Sequence, residues 1–189
     1  SPIHFEGIEA YRVAGTPADC VALGLHLFEG IDLVLSGINI GANLGNSAWH
    51  SGTLSAARQA VLFGVRGIAL SISIGKDEPD FKMLEPFTKN ALDEVVHENE
   101  LKLLNINFPQ YPDGEILWTS QSVRQYDGKI LANKDPMGRE HFWFTVTPLE
   151  PEEKESDRWA VKQGKTSITP MVLNLTDQKF LNQKCQNQE

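Results

Sequence analysis

An α/β fold, built as a parallel sheet with helices on both faces, is what this sequence predicts, and three observations predict it. Short, branched, apolar runs that read as buried strands recur at 31–36, 68–72 and 103–108. Segments with helical spacing or helix-start chemistry stand between them. The order strand, helix, strand, helix, strand then needs crossover connections, which lay helices over the faces of a parallel sheet. A chain of 189 residues is long enough for one such core with an appended arm.

The first recognisable unit is Ala-Gly-Thr-Pro-Ala-Asp-Cys-Val at 14–21. Thr16 caps a helix, Pro17 suits its first position and Asp19 complements its amino-terminal dipole, so a helix is expected to about Phe28, with Cys20 packed into the core. The strand at 31–36 runs into a loop with glycines at 37, 41, 45 and 52. Leu54, Ala57, Val61 and Val65 recur at helical spacing, and Gly67 punctuates the end of that helix. After the strand at 68–72, a helix is expected over 86–96, then the strand at 103–108. From about Gln110 the texture changes to hairpins, with strands at 116–119, 123–130 and 142–146 and turn residues at Asp127-Gly128 and Met137-Gly138. The stretch from Glu150 to Asp157 reads as a charged surface loop and 182–189 as a fraying tail. Residues 167–175 read as a closing strand whose Pro170 implies an edge or a bulge. Residues 1–110 thus read as a partial core and 111–189 as a hairpin region with the closing strand.

The formal charge of −8 excludes broad binding to nucleic-acid polymers, which calls for a basic face. A small phosphorylated ligand would need local positive charge from a metal or a helix end. The two cysteines, Cys20 and Cys185, do not make a disulfide framework, and a cytoplasmic compartment is expected. No run of about 18 apolar residues and no basic-then-apolar leader occurs, so neither a membrane span nor a secretory signal is expected. The chain begins Ser1-Pro2-Ile3-His4, from which residues upstream of Ser1 are expected.

The chemistry-bearing stretch is Ser36-Gly37-Ile38-Asn39-Ile40-Gly41-Ala42-Asn43-Leu44-Gly45, which leads to Ser51-Gly52-Thr53 at a helix start. It leaves the carboxyl end of a strand, where ligands of open α/β sheets collect. Glycines let backbone approach a ligand, and a helix start offers free N–H groups to an anion such as phosphate. Asn39 and Asn43 add neutral oxygens suited to a hard divalent cation. Read without further context, such a loop is most often only a connection. It is neither a dinucleotide fingerprint nor a P-loop, because its glycines at 37, 41 and 45 are spaced by four and no Gly-Lys-Ser/Thr follows. His50 precedes Ser51, yet sequence neighbours seldom face each other as base and nucleophile must. His4, His26, His97 and His141 have no ligand spacing.

Asp32-Leu33-Val34-Leu35-Ser36-Gly37-Ile38-Asn39-x-Gly41-x-Asn43-Leu44-Gly45, with Ser51-Gly52-Thr53 and Ala56-Ala57 after it, resembles the signature of the SurE family of nucleotidases. Gly15-Thr16-Pro17-x-Asp19-Cys20-Val21, Leu104-Asn105-Ile106-Asn107-Phe108-Pro109 and Ser167-Ile168-Thr169-Pro170 resemble further family segments in the same order, so the likeness covers nearly the whole chain. The resemblance implies a Rossmann-like core with a carboxyl-terminal β-hairpin arm that assembles homodimers or homotetramers. It also implies a phosphomonoesterase acting on nucleoside 5′- and 3′-monophosphates, with a divalent metal, magnesium or manganese, as cofactor. The family holds that metal with an Asp-Asp pair, a serine and an asparagine, and only the asparagine maps here, onto Asn39. The resemblance places the family's Asn-Asp-Asp-Gly motif and serine loop upstream of Ser1, and no Asp-Asp pair occurs in this sequence.

Carried over residue by residue, the resemblance makes Asn39 the catalytic and metal-binding residue. Asn43, Ser51, Gly52 and Thr53 become the phosphate-binding residues, with Asn43 either bracing the loop or touching the phosphate. The position of His50 is often tyrosine in the family, which suits a role toward the nucleoside. Trp118, Phe142, Trp143, Phe144 and Trp159 form an aromatic set that is core, a substrate flank or a subunit contact, of which the family's assembling hairpins favour the last, with core next. Arg124 and Arg139 are either solvated or reach a neighbouring subunit's phosphate site. An absent first strand would leave a sheet edge and apolar faces bare. The competing reading is a noncatalytic phosphate- or nucleotide-binding module that keeps the anion loop and the oligomerising arm.

Overall fold

The computed structural model describes residues 1–5, 7–98, 100–123, 126–148 and 153–186. It opens with an antiparallel hairpin of β1 (Pro2–Phe5) and β2 (Ile8–Tyr11), which the sequence pattern does not announce and which, among the described residues, pairs with no other strand. Helix α1 (Pro17–Leu27) follows from a reciprocal cap: the Asp19 N–H donates to Thr16 Oγ1 at 3.2 Å and the Thr16 N–H to Asp19 Oδ2 at 2.8 Å. Then come β3 (Leu33–Ile40), a 3-10 turn (Gly45–His50), α2 (Gly52–Leu62), β4 (Arg66–Ile72), α3 (Phe81–Val95) and β5 (Leu103–Phe108). The remainder is β6 (Ile116–Trp118), β7 (Tyr126–Lys134), β8 (Glu140–Pro148), α4 (Asp157–Lys162), β9 (Thr166–Met171) and α5 (Gln178–Gln186).

The central sheet has five strands in the order β3-β4-β5-β9-β6. Its first three are parallel, as expected for crossover units, while β9 is antiparallel to β5 and parallel to β6. Alternation along the strands separates the two faces. Ile68, Leu70 and Ile72 of β4 and Leu104, Ile106 and Phe108 of β5 pack with Leu84, Ala91 and Val95 of α3. On the other face, Ala69 and Leu103 meet Leu54 and Ala57 of α2. Each fully buried aliphatic side chain contributes about 1.5–3 kcal/mol over its exposed state, so the larger α3 face carries most of the hydrophobic stabilisation. The backbone of α2 comes close: a Cβ on Gly67 would lie 2.0 Å from the Ala57 carbonyl oxygen.

Several expectations are corrected. Cys20 is exposed, because α1 buries none of its residues and lines an open apolar cleft with Phe28, Ile31 and Val34 instead of a core. Helix α3 starts at Phe81, five residues before Pro86, because Asp80 caps it by accepting the Lys82 and Met83 N–H groups. Pro86 is therefore inside the helix, lacking the N–H that would have bonded four residues back. Pro170 lies on an inner strand. Thr119 N–H donates to the Ile168 carbonyl, so Ile168 faces β6, and Pro170, two residues on, faces that same side beyond the last β6 pair. No ladder N–H is missed there.

In the carboxyl-terminal region, Asp127-Gly128 lies within β7, and the turn falls at 135–139, where Asp135 accepts the Met137 and Arg139 N–H groups. Ser156 and Asp157 are fully buried, not part of a surface loop, while 149–152 lie outside the described residues. The tail at 182–186 continues α5, with 187–189 outside the described residues.

Candidate active site

The loop begins where β3 slips against β4. Their register breaks between Ser36 and Asn39, then resumes with Asn39 opposite Ser71 and Ile40 opposite Ile72. Gly37 makes the slip possible: its φ is +130°, and a Cβ there would lie 2.2 Å from the Leu70 carbonyl oxygen. Asn39 is half-buried at the strand's carboxyl end, and its Nδ2 donates to the Gly41 carbonyl at 2.7 Å. Its Oδ1 accepts no hydrogen bond among the described residues, so one neutral oxygen remains available.

Asn43 sits at the centre of a buried polar cluster drawn from two strands, β4 and β5, and the loop. Its Nδ2 donates to Ser71 Oγ at 2.8 Å and its backbone N–H to Asn107 Oδ1 at 2.8 Å. Its carbonyl accepts Asn105 Nδ2 at 2.8 Å. With only 8% exposure, Asn43 braces the loop, which favours the first of the two roles expected of it. Asn105 and Asn107 belong to the predicted strand at 103–108, and the structure adds their role in this cluster. Their signal was the alternation with Leu104, Ile106 and Phe108, which turns both amides to the face opposite α3.

Gly45 then turns the chain into the 3-10 segment. Its N–H donates to Asp157 Oδ2 at 2.7 Å and its carbonyl accepts Gln121 Nε2 at 2.8 Å. Ser51 ends that segment and caps α2, its Oγ accepting the Leu54 N–H at 3.0 Å. Because the Oγ acts there as acceptor, its hydroxyl proton is free for another partner. The N–H groups of Gly52 and Thr53 meet no acceptor among the described residues, leaving the positive end of an 11-residue helix open to an anion. The start of α1 abuts it, since a Cβ on Gly52 would lie 3.3 Å from Pro17 Cγ. Backbone and side-chain hydrogen bonds from Thr16 hold the Asp19 carboxyl below the ordinary carboxylate value.

The structure therefore groups Ser51, Gly52 and Thr53 at one helix start, puts Asn39 at the end of β3, and commits Asn43 to the interior. Sequence reasoning missed Asp157 and Gln121, which reach the loop from far along the chain. His50 is exposed and adjoins the helix start. A hard divalent cation needs carboxylates, and no group of three or more His, Cys, Asp or Glu side chains gathers among the described residues. The donors in hand, one amide oxygen beside N–H and O–H groups, fit an anion and do not by themselves fit a metal.

The aromatic set divides. Phe142, Trp143 and Phe144 are exposed on β8, so they are not core. Trp118 on β6 donates to Glu94 Oε1 at 3.3 Å, and Trp159 lies half-buried on α4, away from the hairpin strands. Arg139 donates to Asp135 Oδ2 at 2.8 Å within its own turn, and Arg124 lies outside the described residues. β3 is the outer strand of the sheet, with Leu35 and Ile40 exposed along it.

Fold and loop define the class: an α/β protein with a glycine- and asparagine-rich loop at the carboxyl end of the parallel strands of its sheet. The family model described as Survival protein SurE matches residues 2–128, and this chain belongs to that family. It is 41% identical over 180 residues to 5′-nucleotidase SurE 1 of Thermus thermophilus, covering 94% of this chain and 71% of that one. It is 39% identical over 176 residues to 5′-nucleotidase SurE of Geobacter metallireducens, covering 88% and 69%. The crystal structure of the SurE protein from Aquifex aeolicus superposes with a TM-score of 0.75 at 34% identity, over 93% of this chain and 74% of that one. The α/β Rossmann-like architecture is thus shared with a solved relative.

Proposed function

We propose that this chain carries the 5′-nucleotidase activity of its family: hydrolysis of nucleoside 5′-monophosphates, and also 3′-monophosphates, to nucleoside and phosphate. Supporting the reading are the relatives named 5′-nucleotidase at 41% and 39% identity. The observation that carries it to particular atoms is the helix start at Ser51, whose neighbours Gly52 and Thr53 keep free N–H groups. There the N–H groups and hydroxyls hold the nonbridging oxygens and stabilise charge as water attacks phosphorus and the ester bond to the ribose oxygen breaks. Asn43 keeps the loop in shape.

Magnesium or manganese is the cofactor this reading calls for, with Asn39 Oδ1 as one neutral ligand. The carboxylates that such a cation needs would come from outside the described residues. The reading further takes 1–110 as the catalytic core and 111–189 as the region of the assembly hairpin, the protein being a cytoplasmic homodimer or homotetramer. Among the described residues no helix is long and apolar enough to cross a membrane. The alternative reading is a noncatalytic phosphate- or nucleotide-binding module, which would use the same helix start to hold an anion without hydrolysing it.

Hydrolysis of nucleoside monophosphates with manganese or magnesium, measured on this chain and on a version extended upstream, separates the two. Activity in the extended protein that Asn39→Ala abolishes supports the nucleotidase. Phosphate binding without hydrolysis in either version refutes it in favour of the module.

A further inference from the structure

We infer that Asp157 is a positioning residue for the phosphate site, its buried carboxylate fixing Gly45 and thereby the placement of Ser51 relative to Asn39. The inference rests on the proposed reading of Ser51, Gly52 and Thr53 as phosphate contacts. Asp157 is fully buried at the first position of α4, yet it makes no ion pair among the described residues. Its charge is met by backbone N–H groups instead: Gly45 at 2.7 Å on Oδ2, with Ser122 at 3.0 Å and its neighbour Arg158 at 2.7 Å on Oδ1. A carboxylate satisfied in this way makes stronger, shorter hydrogen bonds than a neutral acceptor would. Asp157 is itself held, its own N–H donating to the Ser120 carbonyl at 2.9 Å.

The point it grips is the one where the loop has least freedom. Gly45 stands midway between Asn39 and Ser51 and opens the 3-10 turn that delivers Ser51 to the start of α2. Its φ is +55°, and a Cβ there would lie 2.5 Å from Ser122 Oγ and 2.7 Å from the Ser122 carbonyl oxygen. Its N–H is taken by Asp157 and its carbonyl by Gln121. Both polar groups of one glycine are thus fixed by side chains from the distant half of the chain, and the glycine lies against a third residue from that half. The Asn43 cluster holds the preceding stretch against β4 and β5, so the loop is pinned on both sides of Leu44. The carboxylate thus adds a fixed point at Gly45 to the hold that Gln121, the burial of Ala48 against Leu54 and Ala57, and the Ser51 cap exert on this segment.

Asp157→Asn tests this while keeping the shape. An asparagine turned either way sets an NH2 group against at least one backbone N–H, so the clamp on Gly45 or on Ser122 is lost. Three quantities are read on the purified chain: the thermal midpoint, amide exchange at Gly45, and the dissociation constant for inorganic phosphate with manganese present. We expect Gly45 exchange to rise and phosphate affinity to fall about tenfold in molecules that remain folded, with Gln121→Ala moving both in the same direction. A lowered melting temperature with unchanged phosphate affinity in the folded protein means that Asp157 is merely structural and overturns the inference. Failure of the unaltered chain to bind phosphate refutes the reading of the helix start, and the inference falls with it.

Discussion

Replacing Asn43 with alanine distinguishes a brace from a phosphate contact, and the structure supplies the expected size of the effect. The substitution removes the hydrogen bond from Nδ2 to Ser71 Oγ, which contributes about 1 kcal/mol net. It also strands the Ser71 hydroxyl, which is fully buried with no other partner among the described residues, at about 1–2 kcal/mol more. The bonds from the Asn43 backbone to Asn105 and Asn107 survive. The sum, about 2–3 kcal/mol, lowers the melting temperature by roughly 4–12 °C for a domain of this size. Differential scanning calorimetry of Asn43→Ala measures it. The double variant with Ser71→Ala should be no less stable than Asn43→Ala, because the stranded hydroxyl is then absent. A melting temperature within about 1 °C of the parent, together with weakened phosphate binding, would refute the brace and make Asn43 a ligand contact.

Arg66 ties the start of β4 to the end of α3, donating to the carbonyls of Leu101 at 3.0 Å, Val96 at 2.9 Å and Val95 at 2.8 Å. Arg66→Ala should lower stability by about 2 kcal/mol in urea unfolding, with phosphate affinity unchanged. Gly37→Ala places a methyl group against the Leu70 carbonyl, so it should disrupt the turn into Asn39. Backbone chemical shifts of 36–45 read this, and an unperturbed loop would contradict the close approach. The lowered pKa of Asp19 gives a signed pH effect. The contribution of its cap is complete above the ordinary carboxylate value of 3.8 and is lost as pH falls through the lower folded-state value. Loss of α1 signals below about pH 4 should therefore flatten in Asp19→Asn. Phe142 and Phe144 are exposed on the same face of β8, and if this face assembles copies, changing both to serine should shift sedimentation toward monomer.

Much of the fold was legible because its signals are local. Thr16, Pro17 and Asp19 announce α1 whatever surrounds them, and the branched runs at β4 and β5 can only be buried strands. The start of α3 was misread because Pro86 is a conspicuous helix-start residue while the true cap, Asp80, lies among turn-like residues. The burial of Asp157 was misread because it follows a run of acidic and basic residues that resembles a solvated loop. Of the site, the helix start at Ser51, Gly52 and Thr53 was readable from cap chemistry, whereas the commitment of Asn43 to the interior was not.

Residue order therefore determined the elements and family of this protein, since capping, periodicity and motif order are each written within a few neighbouring residues. Tertiary structure alone decided which polar atoms are occupied and which remain free. Gly45 and Asp157 stand 112 residues apart and meet at 2.7 Å, and the pairing is imposed by where β9 enters the sheet beside β5 and carries α4 with it. A hydrogen bond is decided over about 3 Å of space, and distance along the chain has no bearing on it once the core has closed.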